Sequence, residues 1–195
     1  MPSEVSICNM ALSRLGANRI SALTEASREA RECSLAFAQA RDSVLRDHPW
    51  NFANRVQYLA LTEDEPFGFA YAYAYPSDCL AARKIWQEVD TDTPIDFEVR
   101  QNDAATARVI VTDEADAALV YTARIENPNV WDAQFVDALV LRLATDLALP
   151  LTQNAQIQNA MAQLYQRTIF AAKTQDAKEG RTEPESTSSF IFARS

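Results

Sequence analysis

The chain runs to 195 residues, 48% of them apolar, and carries a formal charge of −9 from 27 acidic and 18 basic side chains. That length allows one domain, or one helical body with an inserted module, and burial of roughly 70% of the unfolded surface without staples. The apolar share excludes wholesale disorder. No apolar run approaches the ~20 residues of a bilayer span, and three scattered cysteines without a CxxC, Cys8, Cys33 and Cys79, exclude a disulfide framework.

The opening MPSEVSICNMALSRLG has no basic start followed by a sustained apolar run, so a cytoplasmic product is expected. Val5, Cys8, Leu12 and Leu15 recur at helical spacing behind a Ser3 cap, with Gly16 as the stop. A second helix is predicted from Ser27, with Ala30, Cys33, Phe37, Ala40 and Val44 on one face. It must end before Pro49, which pushes its predecessor out of the α region. Cys8 and Cys33, on these apolar faces, read as buried, inert thiols.

The period then changes. Residues 54–62, 69–75, 82–89, 95–101, 107–112 and 118–125 alternate or are rich in β-branched and aromatic residues, and EDEPFG, PSD, DTDTP and TDEAD punctuate them. Connections this short favour an antiparallel meander over parallel crossovers. Helical periodicity returns after Asn127-Pro128-Asn129. Phe135, Val136, Leu139, Val140, Leu143 and Leu147 mark a helix expected to stop at Pro150. A last helix, capped by Thr152 or Asn154, carries Ile157, Met161, Leu164, Tyr165 and Ile169. From Lys178 the pattern gives way to a polar tether ending in Phe190-Ile191-Phe192, an apolar hook that needs a partner.

The predicted class is therefore α+β. Residues 1–53 and 130–178 supply a four-helix body, 54–129 an inserted antiparallel β module, and 179–195 an extended C-terminal arm. Charge is distributed unevenly over this plan: residues 1–50 carry six groups of each sign, whereas 51–129 carry six basic and fourteen acidic.

Within the acidic module, FGFAYAYAYPSDC sets Phe67, Phe69, Tyr71, Tyr73 and Tyr75 at every second position. A base-stacking platform needs cations beside it for the phosphates, yet Glu63, Asp64, Glu65 and Asp78 stand there. The stripe is expected to pack on protein. Either it closes the subunit's own sheet onto the helices, or Tyr71, Tyr73 and Tyr75 meet another subunit.

Little in the chain carries catalytic chemistry. The single histidine, His48, has neither a serine in a nucleophile-elbow context nor an acid at a diagnostic spacing, and reads as a packing residue at a helix end. Cys/His clusters for a metal are missing. DTDTPIDFEVRQ fails as a calcium loop, having Pro94-Ile95 at the turn glycine and Gln101 at the bidentate glutamate. Gly16, Gly68 and Gly180 lie too far apart for a phosphate-cradling loop. Carboxylate pairs of glycosidase type are left open by the many acidic residues of the module, although solvated strand faces explain most of them.

Several of these features recur together in one family. Asn9-Met10-Ala11-Leu12 with Leu15-Gly16, the helix start at Ser27 and Ala30, HPWNFA at 48–53, YPSDCL at 75–80 and the helix DAQFVDALVLRLATDLALPLT at 132–152 resemble the tail tubular protein A family, the head-to-tail adaptors of short-tailed bacteriophages. The resemblance spans residues 4–175. It implies a structural virion protein of the tail or neck, assembled in the host cytoplasm, that forms a dodecameric ring between portal and tail nozzle. DNA would pass through the lumen during ejection without specific binding. Portal protein, nozzle protein and sibling subunits would be the partners, with no cofactor, catalysis or membrane. The helical part is then expected to seat on the portal, and the sheet to face neighbours or the nozzle. A ring subunit needs side surfaces that bury aromatic area against copies of itself. A neutral or acidic wall would let DNA slide where a basic one would hold it. The hook, with Phe190 and Phe192 as anchors, would add to a neighbour's sheet edge or enter a portal groove. Two other classes remain open at this stage: a glycan-degrading hydrolase of the tail, and a monomeric acidic assembly or binding module.

Overall fold

The computed structural model describes residues 2–87 and 93–179. Phe190, Ile191 and Phe192, and with them the expected arm, lie outside the described residues.

The order is α1 (Glu4–Leu15), α2 (Arg28–Asp47), β1 (Asn54–Tyr58), β2 (Tyr71–Ala74), β3 (Cys79–Ile85), β4 (Phe97–Gln101), β5 (Arg108–Thr112), β6 (Ala118–Ala123), α3 (Ala133–Thr152) and α4 (Ala155–Glu179). The class is α+β, as the changes of period imply. Helix ends follow their local chemistry. Ser3 and Ser6 form a reciprocal capping box on α1, and Gly16 ends that helix at φ 68°, a left-handed conformation that glycine adopts without a Cβ penalty. Ser27 caps α2, Asp132 caps α3 and Asn154 accepts from the first amides of α4.

Helix α3 is the centre of the helical body, packing against α1, α2 and α4. Phe135, Leu139, Leu143 and Leu147 are fully or almost fully buried, and Val140, Leu141 and Ala148 are buried on its other sides. The helix does not stop at Pro150. It runs to Thr152 because a proline in the last turn forfeits a single amide donor, and the left-handed Gln153 then donates its backbone N–H to the Leu149 carbonyl.

The strands are antiparallel but not a meander. They form two three-stranded sheets, β1-β6-β3 and β2-β5-β4, in which only β4 and β5 are sequence neighbours. The first and last strands of the module pair along their length, from Asn54↔Thr122 to Tyr58↔Ala118. The sheets share one cluster: Tyr73 and Ile110 from one meet Cys79, Ile85, Leu119 and Tyr121 from the other. The aromatic face thus closes on a second sheet, not on the helices, because strand order brings β6 beneath β2 and β5.

Contacts between module and body are polar at the rim and apolar at Leu80 and Ile125, the latter packing against both the helical and the sheet cluster. Leu80 inserts into the helical core. Arg83 donates from Nε to Thr122 Oγ1 at 2.9 Å and from Nη2 to the Arg46 carbonyl at 3.0 Å. Buried Arg41 pairs with Asp42 and Glu126, and Asp42 also takes Arg124 at 2.9 Å.

Candidate interaction surfaces

The segments that carried the family resemblance turn out to be clamps of the fold. Asn9 accepts from the Ile20 N–H at 2.8 Å and donates to the Ile20 carbonyl at 2.9 Å, pinning the loop between α1 and α2. In HPWNFA, the Trp50 indole donates to the Val44 carbonyl at 2.9 Å, and Trp50 and Phe52 both stand edge-on to Phe135, at 5.4 and 5.1 Å between ring centres. His48 is buried with its ring edge-on to Trp50 at 4.7 Å. In YPSDCL, Asp78 pairs with Arg55 at 2.7 Å and lies 3.1 Å from the Tyr121 hydroxyl, whose pKa is raised by burial and then by that carboxylate.

Two of the named tyrosines retain accessible surface. Tyr73 is 2% exposed, and its hydroxyl donates to the Glu114 carbonyl at 2.9 Å, so its ring belongs to the chain's own core and has no face to offer another chain. Tyr71 and Tyr75 are half-buried beside it. The Arg108 guanidinium lies over the Tyr75 ring at 3.9 Å, and burial, followed by a hydrogen bond with Cys79, pushes the Tyr75 phenol up to about 12. The stripe is not continuous. Gly68 sits at φ 84°, and across that bend Phe69 joins Ala72, Val109 and Val111 on the opposite face, while Phe67 is 93% exposed.

What sequence periodicity missed is the exposure of the segment before the stripe. Strand β1 is an edge strand exposed along all five residues. Val56 and Tyr58, on one face of it, are 55% and 71% exposed, and Leu61 beyond it is 64% exposed. A second exposed apolar site lies on α4, where Phe170 borders a cleft of about 440 Å³ with Arg167 and Lys173. No single residue type signalled either surface: alternation gives two faces, and only the tertiary packing decides which is covered.

No protein-family model matches the chain, and no curated protein does.

A third surface is a notch of about 410 Å³ between the end of α2 and the module, lined by Asp42, Ser43, Arg46, Ser77, Arg108 and Arg124. Burial, and then the neighbouring Arg46, lowers the pKa of Arg83, which donates to the Arg46 carbonyl. Among the described residues no group of three or more His, Cys, Asp or Glu side chains is placed to hold a metal ion, and no helix is long and apolar enough to cross a membrane.

Proposed function

We propose that this chain is a structural virion protein, a head-to-tail adaptor that assembles as a closed ring between the portal and the tail nozzle. The genome passes through the lumen without being read. The observation that carries the proposal is the run from Val56 to Phe67, with four large apolar side chains more than half exposed on an edge strand and the loop after it. Edge strands are normally blunted by charge, proline or a cover, and β1 instead exposes Val56 and Tyr58 on one face, with the acidic turn 63–65 further along. β1 has Arg55 as its one charged residue, and that guanidinium is already engaged by Asp78.

The resemblance across residues 4–175 supports the same reading, and its most specific segments are those that hold the helical body to the module. Ring subunits meet through two different faces of each copy, so two distinct exposed patches, one on the β1–β2 segment and one on α4, suit a closing heterologous arrangement. The acidic balance of the module suits a conduit for a polyanion.

Native mass spectrometry of the chain alone, and then with the portal ring of its phage, tests the proposal. The expected result is a species of low order that becomes a ring when the portal is added. A chain that stays monomeric in both samples, or an assembled ring whose channel is lined with lysine and arginine, refutes it.

A further inference from the structure

The β2-β5-β4 sheet has charge of opposite sign at its two ends. At one end lie the acidic turn Glu63-Asp64-Glu65, the turn Asp113-Glu114 and Asp116, and Asp96 before β4. Their placement follows from the pairings Leu61↔Tyr73, Tyr71↔Thr112 and Phe97↔Thr112. At the other end lies the notch with Arg46, Arg108 and Arg124, and Arg83 donates to the Arg46 carbonyl beside it. Of the carboxylates at this end, Asp42 and Asp78 are taken by Arg41, Arg124 and Arg55, and Asp103 stands exposed in the β4–β5 turn. Neither Arg46 nor Arg108 has a carboxylate at ion-pair distance among the described residues, and stacking on Tyr75 holds the Arg108 guanidinium at the mouth of the notch.

We propose that the notch is a carboxylate-binding site whose ligand is the Glu63-Asp64-Glu65 turn of a second copy of this chain. The turn cannot fill its own copy's notch, because β2 and β5 separate them by roughly 13 Å at ~3.3 Å per residue. Guanidinium forks match carboxylates in a bidentate geometry that a lone ammonium does not, and all the cations of the notch are arginines. DNA fits less well. A duplex is held through many phosphates along a track, whereas this is a single concave notch beside an acidic module. Contact between unlike ends is heterologous and propagates from copy to copy until the rotation closes. The inference rests on the adaptor reading for its ring and supplies the polar half of the subunit contact.

The test uses two full-length variants. Arg46→Glu with Arg108→Glu makes the notch acidic like the turn, and Glu63→Lys with Glu65→Lys makes the 63–65 turn net basic like the notch; all four positions are exposed. Each variant alone should associate at least about tenfold more weakly than the unaltered chain. An equimolar mixture, in which every contact joins unlike ends, should recover association that fades as salt rises past ~0.15 M, where the screening length is about 8 Å. Sedimentation velocity reads both. Recovery in the mixture while the unaltered chain never forms a ring on the portal keeps the notch and removes the adaptor reading. Rings formed equally well by all variants keep the adaptor reading and overturn the notch proposal. Failure of the mixture to recover also overturns it, as does a short DNA duplex that binds the unaltered chain and is lost with Arg46→Glu and Arg108→Glu.

Discussion

Phe135 joins the start of α3 to the Trp50–Phe52 segment that leads into the module, and replacing it gives a sharp test. It is fully buried near the start of α3, and three rings stand edge-on to it: Trp50 at 5.4 Å, Phe52 at 5.1 Å and Trp131 at 5.2 Å between centres. Truncation of a buried phenylalanine to alanine costs about 3–5 kcal/mol in lost transfer energy and cavity, and each aromatic pair adds about 0.5–1.5 kcal/mol beyond its area. Phe135→Ala should therefore fall at the upper end, about 5 kcal/mol, and Phe135→Leu, which keeps most of the volume and loses the ring geometry, at about 2 kcal/mol. For a chain of this size, each kcal/mol moves the melting temperature by about 2–4 °C. Urea unfolding followed by tryptophan fluorescence reads the loss directly, since two of the three partners are tryptophans. A Phe135→Leu variant as stable as the unaltered chain, or a Phe135→Ala loss below ~2 kcal/mol, would show that the ring cluster is incidental to the fold.

Tyr165 on α4 donates to Asp47 at 2.6 Å at the end of α2, and burial followed by that carboxylate raises its pKa well above the ordinary value of 10. A raised phenol contributes stability that is whole below pH ~10 and is lost as pH rises beyond it. Tyr165→Phe should cost about 1.5–3 kcal/mol near neutral pH and flatten the alkaline limb of a stability–pH curve; an unchanged limb would remove Tyr165 as its source. Cys8, Cys33 and Cys79 are buried, and contact with Cys33 together with burial drives the Cys8 thiol strongly upward. A thiol reagent should accordingly label none of the three quickly in the native protein and all three after denaturation; fast native labelling would contradict the packing of α1 on α2. Gly16→Ala meets open space but must hold φ 68°, so it should cost about 1 kcal/mol through the backbone alone, checked by thermal melting.

Where the governing physics is local, the sequence was readable. Ser3, Ser27 and Gly16 bound their helices because a cap needs only a side chain and the next few amides. Pro49 limits α2 for a similarly short-range reason. Alternation located all six strands, although β3 begins at Cys79, three residues before the stretch expected at 82–89. Strand order could not, since alternation says which side chains share a face and nothing about which strand lies alongside. The pairing of β1 with β6 spans more than sixty residues. Pro150 misled because its cost depends on how many helical bonds remain after it, and in the last turn almost none do. The tyrosine stripe was half legible. Period two placed Tyr71, Tyr73 and Tyr75 together, but Phe69 precedes the strand, in a bend, and packs with Ala72, Val109 and Val111 instead. The arginine notch left no trace in the linear chain, its members being drawn from α2, β3, β5 and the residue after β6.

The pairing of Asn54 with Thr122 places the departure and return of the module side by side. The chain therefore leaves and re-enters the helical body through two adjacent strands about 4.8 Å apart, with Leu80 and Arg83 of β3 as further points of attachment. Growth, shrinkage or exchange of the outer loops leaves these anchorage points where they stand. Changes at the outer loops of the module therefore leave the packing of α1 to α4 undisturbed.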